Sequence, residues 1–283
     1  INGMYGAEIA NQGFSGYVCE VLVYYLGSFD NVLKKITKLK NNEIIGDSPR
    51  KFESPIVIID PIDRNRNLGA AISMDNVTSF ILIARNFLKK NSISYFKEKS
   101  KNSIPVELAK NTLIVSFKYK KRSDDIIYGQ IKRAASSIES QMIKEGFNVL
   151  RNDAVAYDET NASLLFLLES LNISKNEIRT GPVVFSSDFS TKFIHINSKK
   201  SKLMWTDKEG RLQSLQTRRY ENAKSYLSDL IKNHIGESGI PKGLRTDFKN
   251  GFKITGGKDK QNKSVKKSIS KMITTDDTTF STN

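Results

Sequence analysis

Ile56-Val57-Ile58-Ile59-Asp60-Pro61-Ile62-Asp63-Arg64-Asn65-Arg66-Asn67 is the stretch around which the first part of this chain is organised. Its four β-branched residues stand between two prolines and predict a short buried strand that ends in an Asp-Pro turn. The loop after the turn carries Arg66, whose planar guanidinium can meet the acceptor edge of a base or phosphate oxygens. A purely structural alternative is an ion pair between Arg66 and Asp63 or a contact with a helix end.

Two helices are predicted before this strand. Apolar residues recur at helical spacing from Val18 to Ile36, with a break near Gly27. Ser15 is expected to cap the first helix and Asp30 the second. Free amides at the first helix start, beside Ser15 and Gly16, could receive an anion, although an ordinary N-cap explains Ser15 equally well.

A third amphipathic pattern follows the loop and predicts a helix with Asp75 as its N-cap. Its apolar residues are Val77, Phe80, Ile81, Ala84, Phe87 and Leu88. Residues 1–99 are therefore predicted to form a mostly helical central domain, or neck.

Residues 100–180 have a different pattern, which predicts a second domain, the body. Alternation between Leu113 and Tyr119 predicts a half-buried strand, and a long helix is predicted from Ile127 to Gly146. Two further strands are expected at 147–150 and 164–168. The order β-α-β-β predicts a ferredoxin-like sheet, so the fold class is α+β.

The rest of the chain divides by composition. Residues 181–255 are aromatic and basic and are predicted to form a tail domain. Hydrophobic residues become sparse in 256–283, and this basic extension is predicted to be disordered. Its lysines are Lys258, Lys260, Lys263, Lys266, Lys267 and Lys271.

Charge points to the class of partner. The chain has 283 residues, a formal charge of +15 and 38% hydrophobic residues, which indicates a globular protein with a polyanionic partner such as nucleic acid.

Cys19 is the only cysteine, so an intramolecular disulfide and a Cys-rich zinc site are excluded. No apolar run approaches the roughly 20 residues of a membrane span, and the first ten residues lack a signal-peptide pattern. A cytoplasmic protein is expected.

Few residues could act as acids, bases or metal ligands. His195 and His234 lack ligand-like neighbours, and Cys19 is expected to be a core residue on the first helix. Asp60 and Asp63 could be interpreted as a metal pair, but an Asp-Pro turn is the commoner explanation. We therefore expect no metal site and no catalytic group in these residues.

Three motifs together resemble the archaeal class I CCA-adding enzymes, tRNA nucleotidyltransferases that build the 3′ CCA end without a nucleic-acid template. They are Asn2-Gly3-Met4-Tyr5-Gly6-Ala7-Glu8, the segment Gly13 to Phe29, and Ile59 to Asn67. The resemblance covers roughly residues 1–254 and is strongest up to Leu88. It implies a central domain like the substrate-binding domain of poly(A) polymerase, followed by a ferredoxin-like RNA-binding domain with a tail.

Roles for particular residues follow from this resemblance. It implies that the Tyr5 hydroxyl contacts nucleotide phosphates and that Arg66 and Asn67 help to recognise the incoming CTP or ATP. The segment from Gly13 to Tyr17, including Ser15 and Gly16, would lie beside the RNA 3′ end. Arg64 occupies a variable place of the motif, so only proximity to phosphate is expected of it.

The resemblance also implies tRNA as partner, with basic residues contacting its phosphates. The candidates are Lys118, Lys120, Lys121, Arg122, Arg218, Arg219 and Lys224. Mg²⁺ would be held by carboxylates of a head domain upstream of Ile1, so this chain alone is expected to be inactive in CCA addition. A homodimer is a further possibility.

Two alternatives stay open from the sequence. One is another polymerase-β-like nucleotidyltransferase, such as a relative of poly(A) polymerase, which would use ATP alone. The other is a stand-alone RNA-binding protein without catalytic function.

Overall fold

A computed structural model describes residues 3–97 and 105–280. The chain separates into two compact units. Unit one consists of Ile1–Pro105, Lys121–Gln130 and Ile273–Asn283, and unit two consists of Val106–Lys120 and Ile131–Met272. Both helices and strands are well represented, so the α+β class is confirmed. No helix in the described ranges is long and apolar enough to cross a lipid bilayer.

The N-terminal part of unit one is mainly helical. Its elements in chain order are α1 (Gly16–Leu26), α2 (Phe29–Ile36), β1 (Glu43–Ile45), β2 (Ile56–Ile58), a 3₁₀ helix (Leu68–Ala71), α3 (Met74–Lys90) and a second 3₁₀ helix (Ile93–Phe96). β1 and β2 form a two-stranded parallel sheet. The three residues of β2 are fully buried, which confirms the predicted buried strand.

Helix ends in this region follow local capping rules. The predicted break near Gly27 is confirmed, because Gly27 ends α1 with φ +82° and donates its N–H to Val23 O. Ser15 caps α1 as predicted. The predicted caps of the next helices were wrong, since the hydroxyls of Ser28 and Ser73 accept the first-turn N–H groups of α2 and α3.

Asp30 and Asp75 lie instead in the first turns of these helices, where a carboxylate still interacts favourably with the helix dipole. Cys19 was also misplaced, because it lies on the exposed side of α1. The core side of that helix carries Val18, Val21 and Leu22.

The remaining elements, from residue 106 onward, are α4 (Val106–Lys110), β3 (Thr112–Lys118), α5 (Asp124–Glu145), β4 (Val149–Tyr157), β5 (Asn161–Leu168), β6 (Asn176–Val183), α6 (Ser187–Asn197), β7 (Ser201–Thr206), β8 (Arg211–Thr217), α7 (Ala223–Asn233), α8 (Lys242–Lys249), β9 (Phe252–Gly256) and α9 (Lys263–Ile273). The long helix and the two following strands were predicted, although both strands are longer than expected.

Four strands form an antiparallel sheet in the order β4-β5-β3-β9. Buried residues lie on both faces of β3, whereas the prediction was a half-buried strand. β3 pairs with strands on both sides, and Thr112 and Ile114 are as fully buried as Val115. The alternation of polar and apolar residues therefore did not report a solvent-exposed face.

Residues 176–217 contain a second antiparallel sheet, in the order β6-β8-β7, with α6 packed against β6 and β8. Sequence analysis found aromatic and basic residues here but not this sheet. The predicted domain boundaries stay a prediction, and the one at residue 99 lies outside the described residues.

The disorder predicted for 256–283 was wrong for residues 263–273, which form α9. Asn262 Oδ1 accepts the N–H of Val265 and caps the helix. Val265, Ile269, Met272 and Ile273 are buried. Apolar residues were few, but they recur at helical spacing, and that arrangement is sufficient for an amphipathic helix.

Candidate nucleotide and RNA site

A buried carboxylate organises the end of β2. Asp60 is 3% exposed, and its Oδ1 accepts hydrogen bonds from the Tyr17 hydroxyl and the Ile62 N–H, both at 3.0 Å. Its Oδ2 lies 3.5 Å from Arg66 Nη1. One carboxylate thus connects α1, the turn after β2 and the candidate arginine.

Backbone hydrogen bonds explain why Arg66 returns to Asp60. Asp60 N donates to Arg66 O at 3.0 Å, and Arg66 N donates to Asp63 O at 2.9 Å. Ile59 and Asn67 form an antiparallel bridge at the base of the loop. The loop closes on itself, so the side chain of Arg66 lies beside Asp60, six residues before it in the chain.

The charge of this cluster is well defined. Hydrogen bonding by the Ile62 N–H lowers the pKa of Asp60, and the Tyr17 hydroxyl and Arg66 lower it further against the effect of burial. Burial and the hydrogen bond to Asp60 raise the pKa of Tyr17. At neutral pH Asp60 is ionised and Tyr17 is a donor.

Arg66 is held but remains accessible. Its side chain is 65% exposed, whereas that of Asp60 is 5% exposed. Nη1 contacts Asp60, and the exposure of the side chain leaves the guanidinium accessible to a ligand. The ion pair joins Arg66 to Asp60, not to Asp63 as the structural alternative supposed.

Asn67 has a structural role in the loop. Its Oδ1 accepts the N–H of Ile58 at 3.0 Å and that of Gly69 at 2.8 Å, and its Nδ2 donates to Ser54 Oγ at 2.7 Å. These bonds explain why an asparagine directly follows the arginine. A contact from Asn67 to a nucleotide stays a prediction.

Tyr5 lies beside the start of α1. Phe14 N donates to Met4 O at 2.7 Å, and Gly6 N donates to Phe14 O at 2.9 Å. A Cβ at Gly13 would lie 2.1 Å from Met4 O, so this close approach requires glycine.

The Tyr5 side chain is 72% exposed. Its hydroxyl lies 3.2 Å from the position that a Cβ on Gly16 would take. Ser15 acts as the N-cap, since its Oγ accepts the Val18 N–H at 3.2 Å. The structure therefore brings the predicted residues Tyr5, Ser15 and Gly16 to one helix end, and Tyr17 continues from that end to Asp60.

Other residues of the loop were less well predicted. Arg64 forms an exposed ion pair with Asp47 at 3.1 Å, which contributes little to stability. Sequence analysis missed Arg50, whose Nη2 donates to Asn65 O at 2.9 Å. The hydrogen bond between Tyr17 and Asp60 was not predicted either. The available signal was the placement of Asp60 directly after a buried strand.

Two protein-family models match successive parts of this chain. Residues 1–97 match the model of the tRNA nucleotidyltransferase second domain, and residues 109–257 match that of the CCA-adding enzyme C-terminal domain. The chain belongs to the CCA-adding enzyme family. This confirms the resemblance that the three motifs indicated.

Several archaeal CCA-adding enzymes are similar to this chain. That of Pyrobaculum islandicum is 32% identical over 238 residues, which is 83% of this chain and 55% of the relative. That of Saccharolobus shibatae is 37% identical over 227 residues, 79% of this chain and 53% of the relative. The chain spans about half the length of these relatives.

The basic residues expected to contact RNA differ in accessibility. Lys118, Lys120 and Lys121 are exposed, whereas Arg122 is half-buried and its Nη1 donates to Gln130 Oε1 at 2.7 Å. The backbone N–H of Lys120 donates to the buried Asp247 at 3.0 Å, which fixes the chain after β3.

Arg218 does not fit the role predicted for it. Its side chain is 18% exposed, and Nη1 donates to Glu145 O at 2.8 Å and to Glu177 Oε2 at 3.3 Å. The guanidinium thus satisfies the C-terminal end of α5 inside the unit. Phosphate contact was expected because sequence reports the charge of Arg218 but not its burial.

Its neighbour Arg219 is accessible. The side chain is 68% exposed, lies 3.5 Å from Asp229 Oδ2, and stacks over the Tyr220 ring with its Cζ 5.1 Å from the centroid. Lys224 is exposed in the first turn of α7. Both residues are available to a polyanion.

A metal ion does not fit these residues. Among the described residues no three His, Cys, Asp or Glu side chains converge as a metal site. Asp63 Oδ1 accepts the N–H of Asn65 at 3.0 Å, and the two Asp60 oxygens accept hydrogen bonds from Tyr17, Ile62 and Arg66.

Proposed function

We propose that this chain is the nucleotide-binding and tRNA-binding part of an enzyme that adds and repairs the 3′-terminal CCA of tRNA. The complete protein would transfer nucleotides from CTP and ATP to the tRNA 3′ hydroxyl and release pyrophosphate. The observation that carries the proposal is the exposed guanidinium of Arg66, held by the buried, ionised Asp60.

Arg66 suits recognition of both nucleotides. Cytosine and adenine present different acceptors, and one guanidinium fork can donate to either. Asp60 limits the positions of this fork, because Asp60 is itself held by hydrogen bonds from Tyr17 and the Ile62 N–H. Pre-organisation of that kind lowers the cost of ordering a side chain on binding.

Tyr5, Ser15 and Gly16 extend the site toward phosphates. The Tyr5 hydroxyl is exposed beside the start of α1, where a hydroxyl and backbone amides can contact an anion. We propose that the nucleotide triphosphate and the RNA 3′ end lie along this surface. Arg64 and Asn67 would contribute through the loop that carries Arg66.

The second unit would bind tRNA largely by its phosphates and its shape. We interpret its four-stranded sheet as ferredoxin-like, because β3, α5, β4 and β5 follow one another along the chain as β-α-β-β, and β9 completes the sheet beside β3. The accessible candidates for phosphate contact are Lys118, Lys120, Lys121, Arg219 and Lys224.

Nucleotide transfer is proposed for the complete enzyme, in the cytoplasm, and tRNA binding for this chain alone. The deciding experiment measures binding of the chain to tRNA that lacks its CCA end and to an unstructured RNA of equal length, across a salt series. Preference for tRNA that persists at moderate salt is expected. Equal affinities that disappear together as salt rises would reject specific tRNA binding.

A further inference from the structure

The outer face of α9 is a continuous row of positive charge. Lys263, Lys266, Lys267 and Lys271 are all exposed and stand at helical spacing on one side of the helix. From Lys263 to Lys271 the row is about 12 Å long at the usual rise of an α-helix. The opposite side carries the buried residues Val265, Ser268, Ile269, Met272 and Ile273.

Local interactions do not compensate this charge. None of the four lysines forms an ion pair with a carboxylate in the part of the chain that the structure describes. α9 has no acidic residue in its first turn, and Lys263 there opposes the helix dipole. Like charges three and four residues apart also repel one another.

The neighbouring strand β4 holds α9 through hydrogen bonds. Ser268 donates a hydrogen bond to Asp153 of β4, and Arg151 Nη1 donates to Met272 O at 2.7 Å. The nearby carboxylate of Asp153 is thus directed toward the buried side of α9, not toward the exposed lysines.

We propose that the lysine row of α9 binds the phosphate backbone of RNA and extends the tRNA-binding surface beyond residue 257, where the match to the family's C-terminal domain ends. A helix with four unpaired ammonium groups on one exposed side is complementary to closely spaced phosphates. The inference rests on the proposed function, because that function supplies RNA as the polyanion.

Four Lys→Gln substitutions test it: K263Q, K266Q, K267Q and K271Q combined in the full chain. The matched control is K34Q, K38Q, K89Q and K90Q, which removes the same charge from exposed lysines of unit one. Both variants are measured against tRNA without its CCA end, a plain A-form RNA duplex and vesicles of anionic phospholipid, across a salt series.

We expect the α9 variant to bind tRNA about tenfold more weakly at low salt, and its slope of log affinity against log salt to fall by about two to four. The control should keep a slope close to that of the unaltered chain. Helicity and thermal unfolding should be unchanged in both variants, because all eight side chains are exposed.

Equal slopes for the α9 variant and its control on both RNAs would overturn the inference, even if the unaltered chain prefers tRNA. Loss of vesicle binding without loss of RNA binding would overturn it in favour of a membrane surface. If the unaltered chain binds duplex RNA without preferring tRNA, the proposed function fails, while the slopes on the duplex still decide the role of α9. Absence of any RNA binding would reject both.

Discussion

The hydroxyl of Tyr17 donates a hydrogen bond of 3.0 Å to Asp60, a residue 43 positions further along the chain. Through that carboxylate the first turn of α1 is connected to Arg66, the residue proposed to recognise the nucleotide. Asp60 therefore acts as a positioning residue. Its effect on function is expected to pass through the orientation of Arg66.

Asp60→Asn should lower kcat/KM for both CTP and ATP by about tenfold in the complete enzyme, because a mispositioned guanidinium weakens productive binding. Incorporation onto tRNA lacking its CCA end measures this. Asp63→Asn is the control, since the Asp63 side chain is exposed and its hydrogen bond with Arg66 is made by the backbone oxygen, which the substitution keeps. Equal activity of the two variants would show that Asp60 does not position the arginine.

The same carboxylate should make stability depend on pH. The pKa of Asp60 is lowered in the folded chain, so its stabilising effect is present above the ordinary carboxyl pKa of about 3.9 and is lost as pH falls through the lower folded value. Urea unfolding should show Asp60→Asn less stable than the unaltered chain at pH 7. The difference in the free energy of unfolding between Asp60→Asn and the unaltered chain should become smaller at pH 3. A difference that stays the same at both pH values would contradict a lowered pKa of Asp60 in the folded chain.

Arg66→Lys should reduce kcat/KM for both nucleotides by about ten- to a hundredfold, because an ammonium lacks the planar fork of donors. Arg64→Lys provides the comparison, as Arg64 forms only an exposed pair with Asp47. Steady-state addition of CTP and ATP measures both variants. An unchanged kcat/KM in Arg66→Lys, which keeps the positive charge, would mean that general positive charge, not the geometry of Arg66, determines nucleotide use.

Arg218 and Arg219 are adjacent in sequence but should behave oppositely. Arg218→Ala is expected to destabilise the chain by about 1–3 kcal/mol, since buried acceptors at the end of α5 lose their donor. Arg219→Ala should change stability by less than about 0.5 kcal/mol, because its ion pair is exposed. Urea unfolding distinguishes them.

RNA binding provides the second measurement for this pair. Arg219→Ala should weaken tRNA binding and reduce the salt slope by about one. If loss of Arg218 instead weakened binding at unchanged stability, its side chain would have to be counted among the phosphate contacts.

Local patterns were sufficient for much of the fold. The end of α1 at Gly27, the buried strand before Asp60, and the helix that ends before Gly146 depend on residues near one another in sequence. Caps were less certain because serine and aspartate compete for the same position. At α2 and α3 the N-cap is the serine that directly precedes the helix, Ser28 and Ser73 respectively.

Burial was the property that local patterns reported least well. The alternation in β3 indicated one exposed face, but Thr112 and Ile114 on that face are fully buried. The few apolar residues of α9 suggested disorder, although their spacing was sufficient to form an amphipathic helix. Arg218 carried a charge that suggested RNA contact, yet its side chain is mostly buried.

The sequence by itself determined the α+β class, the family and the identity of Arg66 as the leading candidate residue. These follow from short motifs and from the periodicity of neighbouring side chains. Tertiary structure alone decided that Tyr17 and Asp60 support Arg66, that Arg218 is structural, and that the lysines of α9 form one exposed row. These features depend on contacts between segments that are distant in sequence and on the solvent exposure of each side chain. Both are established only when the chain folds, so local sequence patterns do not show them.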